Sequence, residues 1–212
     1  MNRLRSFLQP PAPRLLIVSA CTAKKKFSLP DQLTVVDLDN PASRKDGVSR
    51  LARYRLPAAE MYAGAGHGLI REAVKTLREH GYLVSHFILS AGYGLLSVAD
   101  MIVPYNVTFS GASKKWIRER GQRLGLRSQL VAIADGHNRV ILILGREYLE
   151  AIGLPLPTEE LPHTLAYIAP SLIKCVGHGV EIVAVGEAER REIGAHSSSA
   201  KERRFQLDEA WS

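Results

Sequence analysis

The run Phe87-Ile88-Leu89-Ser90-Ala91-Gly92-Tyr93-Gly94-Leu95-Leu96, with Asp100 and Pro104-Tyr105 close behind, gathers the side chains best suited to chemistry. Gly92 and Gly94 let the backbone come close to a partner. Tyr93 between them can offer its ring as a stacking surface for a base, or pack over a tight turn. Asp100 can polarise a water or stabilise developing positive charge. Its other reading is a turn-capping aspartate. Tyr105, with its backbone preset by Pro104, can line the same cleft.

A second group follows the first apolar run. In Ser19-Ala20-Cys21-Thr22-Ala23-Lys24-Lys25-Lys26, small and hydroxyl residues can turn backbone N–H groups toward an anion, and the lysines add charge. The spacing is not that of a Walker loop. Cys21 reads as a buried, unreactive cysteine rather than a nucleophile. Pro57-Ala58-Ala59-Glu60-Met61-Tyr62 opens a helix. Glu60 either complements the helix dipole or points into the cleft as an acid or base, and Tyr62 either hydrogen-bonds there or packs. Gly64-Ala65-Gly66-His67-Gly68 is not a dinucleotide fingerprint. Near the carboxyl terminus, His196-Ser197-Ser198-Ser199 leads into Lys201, Arg203 and Arg204. That loop either clasps a phosphate backbone or is a mobile surface segment. The histidines lack metal-site spacing, so no metal is expected.

These groups need strand ends to hold them. Four short apolar runs, 15–18, 87–89, 140–144 and 180–185, read as strands buried on both faces. Residues 34–38 read as a fifth, edge strand. Helical patterns span 58–80, closing at Gly81, then 116–134, 147–152 and 165–175. The alternation implies an α/β domain of three layers around a mostly parallel sheet of four to five strands. In such a sheet, ligands bind outside the carboxyl ends of the strands. Ser19 to Lys26 and Ser90 to Tyr93 both fall there. The expected organisation is a basic tail over 1–14 and one domain over 15–212.

The chain of 212 residues is 46% hydrophobic, which suits one soluble domain with its own core. No apolar run approaches the roughly 20 residues that cross a bilayer. Residues 1–14 have too short an apolar patch for a signal peptide. Cys21 and Cys175 are the only cysteines, and reduced, cytoplasmic thiols are expected. The net charge is +7, from 28 Lys and Arg against 21 Asp and Glu, and the pI is near 9.6. That is the footprint of a protein that meets nucleic acid.

The order of motifs carries a resemblance over Leu15 to about Phe109. Ser-x-Cys-x-x-Lys-Lys, Pro-Ala-Ala-Glu-Met-Tyr, Leu-Ser-Ala-Gly-Tyr-Gly-Leu-Leu and Asp-x-x-x-Pro-Tyr-Asn together resemble an uncharacterised bacterial and phage domain family. That family is distantly similar to peroxide-stress DNA-binding proteins and to the archaeosine-synthase domain with the uracil-DNA glycosylase fold. Tyr93 stands where the family often has histidine, and Asn106 where it often has aspartate. The chain is also similar to phage-defence DNA glycosylases that excise glucosylated hydroxymethylcytosine.

The resemblance implies a DNA glycosylase that flips a modified base out of phage DNA and hydrolyses its N-glycosidic bond, leaving an abasic site. Asp100 or Glu60 would stabilise the sugar or orient water, and Ser19 or Lys24 would stabilise the leaving base. Cys21, Ser90, Tyr105 and Asn106 would surround the base, with Tyr93 stacked on it. Lys25, Lys114, Lys115, His196, Ser197, Lys201, Arg203 and Arg204 would hold phosphates. No cofactor is implied. The rival readings are a non-enzymatic DNA-binding stress protein and a transferase acting on a deazaguanine base.

Overall fold

Leu15-Leu16-Ile17-Val18 forms the middle of strand β1 (Arg14–Ala20), in which residues 15–19 are all buried. A strand hidden on both faces must lie inside a sheet rather than at its edge. In this computed structural model, which describes residues 12–157, 159–161, 163–168 and 170–184, β1 sits between β3 (Leu83–Ser90) and β6 (Arg139–Ile143). The sheet has six strands in the order β4-β3-β1-β6-β7-β8. β7 (Thr164–Ile168) and β8 (Val180–Ala184) continue it in parallel, and β4 (Gly94–Ser97) runs antiparallel along β3. Two short strands, β2 (Leu56–Pro57) and β5 (Met101–Ile102), pair separately.

Seven α-helices lie among the described residues. They are α1 (Val35–Asp39), α2 (Pro41–Arg50), α3 (Ala58–Met61), α4 (Ala65–Glu79), α5 (Lys114–Arg123), α6 (Leu126–Ala134) and α7 (Arg146–Ile152). None is long and apolar enough to cross a membrane. A single apolar cluster joins the strands to residues from every one of these helices except α4, whose Val74 is nonetheless buried. Gly121 shows how closely α5 meets α7, since a Cβ there would lie 1.9 Å from the Ala151 carbonyl oxygen.

The mixed α/β architecture with a mostly parallel sheet agrees with the sequence, but several elements differ. Residues 34–38 are not an edge strand. Thr34 and Asp37 form a capping box, the Asp37 Oδ2 accepting the Thr34 N–H at 2.8 Å, and this starts α1. The helical pattern of 165–175 is divided. Residues 164–168 fill the slot between β6 and β8 as a strand, and Pro170–Cys175 form a 3-10 helix. The helix expected over 58–80 is broken at Tyr62, because residues 24–26 pair with residues 61–63 as a short extended ribbon. The helix expected over 116–134 is broken at Gly125, whose φ of 63° lies in the left-handed region.

Candidate functional site

The site forms where β1 and β3 end. Beyond β1 the chain turns back against the α3–α4 junction. The Lys26 N–H donates to the Met61 carbonyl at 2.7 Å, and the Ala63 N–H donates to the Lys24 carbonyl at 3.0 Å. Lys25 and Tyr62 are therefore directly opposed across an antiparallel bridge, which puts their side chains on one face. Tyr105 joins them from another loop. Its backbone is held by Leu33, whose N–H donates to the Pro104 carbonyl and whose carbonyl accepts from Asn106.

Three hydroxyls then form a buried chain. Ser90 Oγ lies 2.7 Å from Tyr105 Oη, which lies 2.8 Å from Tyr62 Oη. Its polarity follows from counting donors. The Ser90 oxygen accepts the N–H groups of Gly92 and Tyr93 at 3.2 and 3.1 Å, which occupies both lone pairs. Its own hydrogen therefore goes to Tyr105, Tyr105 donates to Tyr62, and the Tyr62 hydrogen is the end of the chain. Burial raises the pKa of Tyr62 and of Tyr105, and the nearby Cys21 raises both further. Both phenols stay neutral and act as donors.

Lys25 lies over this chain, with Nζ 4.3 Å from the Tyr105 ring centroid. Burial lowers its pKa, opposed by Cys21. Tyr93 and Tyr105 pack edge to face with centroids 5.0 Å apart, and the Arg44 guanidinium lies 5.3 Å from the Tyr93 centroid. The Tyr93 hydroxyl donates to the Val103 carbonyl at 3.3 Å. Burial raises its pKa, opposed by that hydrogen bond and by Arg44 and Arg55. Among the described residues, Lys25, Arg44 and Arg55 form no ion pair with a carboxylate. An uncompensated cationic rim over aromatic rings suits an anionic, ring-bearing ligand.

Two supports hold the site from behind. Arg120 is 3% exposed. Its Nε and Nη2 donate to the carbonyls of Ala91 and Gly92, both at 2.9 Å, and its Nη1 binds Asp39. Arg123 also reaches Asp39, at 2.5 Å. Burial would raise the Asp39 pKa, but the two arginines lower it on balance. On the other side, Cys21 Sγ lies 3.2 Å from the Tyr148 hydroxyl, which donates to the Cys21 carbonyl at 3.1 Å. Burial raises the Tyr148 pKa, helped by Cys21. This contact spans β1 and the helix after β6, where the strand order reverses.

Residues expected from the sequence divide accordingly. Lys25, Ser90, Tyr93 and Tyr105 come together, and Cys21 borders them. Ser19 does not face a ligand: it is fully buried and shares a 2.9 Å hydrogen bond with His86 Nε2. Asp100 is exposed and caps its own turn, its Oδ2 accepting the Ser97 N–H at 2.8 Å. Glu60 is exposed in the first turn of α3. Lys24 and Asn106 are exposed, and their backbones rather than their side chains hold the loops. Lys114 and Lys115 are exposed at the start of α5, with Lys115 3.9 Å from Glu119. His196, Ser197, Lys201, Arg203 and Arg204 lie outside the described residues, as does most of the 1–14 tail.

Arg120, Tyr148 and Arg44 were not legible as site residues. Arg44 left a trace as the start of a basic stretch over 44–55, and Arg120 as an arginine on the apolar stripe of its helix with Ile117 and Leu124. Residues 47–165, more than half of the chain, match a family of unknown function (DUF6884), and the chain belongs to that family. No curated protein matches the sequence.

Proposed function

We propose that this DUF6884 member binds DNA at the carboxyl ends of β1 and β3 and excises a modified base, on a fold of the uracil-DNA glycosylase type. The observation that carries the reading is the unpaired cationic rim of Lys25, Arg44 and Arg55 around Tyr93 and Tyr105. A flipped nucleotide offers what that rim lacks, a phosphate for the cations and a flat ring for the aromatics. The motif resemblance supplies the chemistry: cleavage of the C1′–N bond in phage DNA carrying glucosylated hydroxymethylcytosine.

Bond cleavage sends an electron pair to the leaving base. The neutral Tyr62 phenol, with its hydrogen at the end of the hydroxyl chain, donates to that base as the charge develops. Gly92 lets the turn close on the Tyr105 ring, and Tyr93 stacks on the flipped base once Arg44 moves to a phosphate. Exposed Lys24, Lys26, Lys114 and Lys115 neutralise the backbone. Asp100 is occupied in its own turn, which leaves Glu60 as the carboxylate open to the sugar.

The test is alkali cleavage of duplexes that carry glucosylated hydroxymethylcytosine or plain cytosine at one position. The expected result is strand scission at the modified position alone. Salt-sensitive binding without scission of either duplex overturns the proposal in favour of a DNA-binding protein. Incorporation of a labelled deazaguanine base without an abasic site overturns it in favour of a transferase.

A further inference from the structure

The buried hydroxyl chain contains no carboxylate, yet an amine lies over it. Lys25 is opposed to Tyr62 across the ribbon and lies 4.3 Å from the Tyr105 ring centroid. Its lysine neighbours, Lys24 and Lys26, are exposed. The alternation of an extended segment explains this, since only the middle residue of three points to the closed face. The groups around Lys25 are Cys21, Tyr62 and Tyr105, and both phenols are held neutral by burial. No carboxylate pairs with Lys25 among the described residues, and burial, opposed by Cys21, lowers its pKa and so eases loss of the ammonium proton. A lysine kept only for phosphate would gain by extending into water.

We propose that Lys25 is a nucleophile, which captures the C1′ carbon of the deoxyribose as an imine. The proposal rests on the base-excision reading. The Nζ lone pair attacks C1′, and the C1′–N bond breaks with its electron pair leaving on the base. The base takes its proton from Tyr62, which recovers one from the nitrogen of Lys25. The sugar ring then opens: the C1′–O4′ bond breaks, O4′ takes a proton from bulk solvent, and a protonated C1′=N bond forms, that proton returning to solvent when the imine is hydrolysed. Water adds to that bond and releases the amine and an abasic aldehyde. On DNA that is already abasic, the same amine condenses with the aldehyde and expels one water. No oxidant, reductant or metal takes part.

The experiment is reductive trapping with cyanoborohydride, which delivers hydride to the imine and fixes a secondary amine between protein and DNA. Two duplexes are used, one with a preformed abasic site and one with glucosylated hydroxymethylcytosine. The wild-type chain is expected to cross-link to both, with the adduct mapping to Lys25. Lys25→Arg keeps a basic group but no nucleophilic amine, so it should still bind DNA through Arg44, Arg55 and the exposed lysines while losing trapping more than 10-fold. Lys75→Ala, an exposed lysine of α4, should trap as wild type. Between pH 7 and pH 9 the trapping rate should rise far less than the roughly 100-fold expected of an ordinary lysine. Circular dichroism and melting curves on Lys25→Arg separate a folding defect from a chemical one. If it melts as wild type and still traps, or if the adduct maps elsewhere, the proposal is overturned. Alkali-labile sites without any cross-link overturn the nucleophile and leave base excision standing. A Lys25 cross-link to abasic DNA, with no base release from intact DNA, does the reverse.

Discussion

Replacing Arg120 with methionine should destabilise the chain by about 3–5 kcal/mol, the range for breaking one partner out of a buried ion pair. The magnitude follows from what Arg120 holds. It is 3% exposed and donates to the Ala91 and Gly92 carbonyls, both at 2.9 Å, while binding Asp39. Methionine fills similar space but donates nothing. Two buried carbonyls would lose charge-assisted hydrogen bonds, each worth about 1.5–3 kcal/mol. Asp39 would keep Arg123, which limits the loss. A change of that size lowers the melting temperature by roughly 10 °C in a protein of this length. Arg120→Lys should fall between, because one ammonium cannot span two carbonyls and a carboxylate. The assay is urea unfolding followed by circular dichroism, with the midpoint and slope fitted for all three proteins. The turn carrying Tyr93 should loosen first, seen as faster amide exchange at Gly92 and Tyr93. If Arg120→Met unfolds within about 1 kcal/mol of wild type, Arg120 is not the fastener described.

Gly92→Ala should damage the site from a different direction. An added Cβ would stand 2.6 Å from Cδ2 and Cε2 of the buried Tyr105 ring, so the ring must shift. The expected cost is about 1–3 kcal/mol, the usual range for overpacking, measured by urea unfolding, with DNA binding reduced more than the folded fraction. Stability should also fall in mild acid. His86 is buried beside His67 and Arg78, and burial first, then those charges, lowers its pKa from 6.5 to about 4. Its folded pKa lies below its unfolded one, so the unfolded chain binds more protons between these values. The neutral histidine's contribution is complete above pH 6.5 and is lost as pH falls toward 4, by about 3 kcal/mol in all. His67, also lowered by burial, adds in the same direction. Urea midpoints at pH 7, 5.5 and 4.5 check this, and a flat series would show that these histidines do not titrate with unfolding.

The layout of the centre was readable from the pattern of residues alone. β-branched and leucine-rich runs too short for helices had to be strands, and β1, β3, β6 and β8 lie on the four runs read that way. The strand-end location of Ser90, Tyr93 and Lys25 followed from the same pattern, because in a parallel sheet the loops after the strands share one edge. Elements whose local preference was overruled were not legible. Thr164 to Ile168 joins the sheet because two neighbouring strands offer it hydrogen bonds, and Val35 to Asp39 turns helical because Thr34 and Asp37 cap it. The break after Met61 depends on a ribbon between residues distant in the chain. The site shows the same division. Residue types named Lys25, Tyr62, Ser90 and Tyr105 one at a time. Only the tertiary structure aligned their hydroxyls, turned Lys25 inward while its neighbours stayed in water, and engaged Asp100 in its own turn. It also brought Arg120 from a distant helix to the Ala91 and Gly92 carbonyls. These are long-range pairings and burial effects, and no local pattern of residues encodes which partner a buried polar group will find.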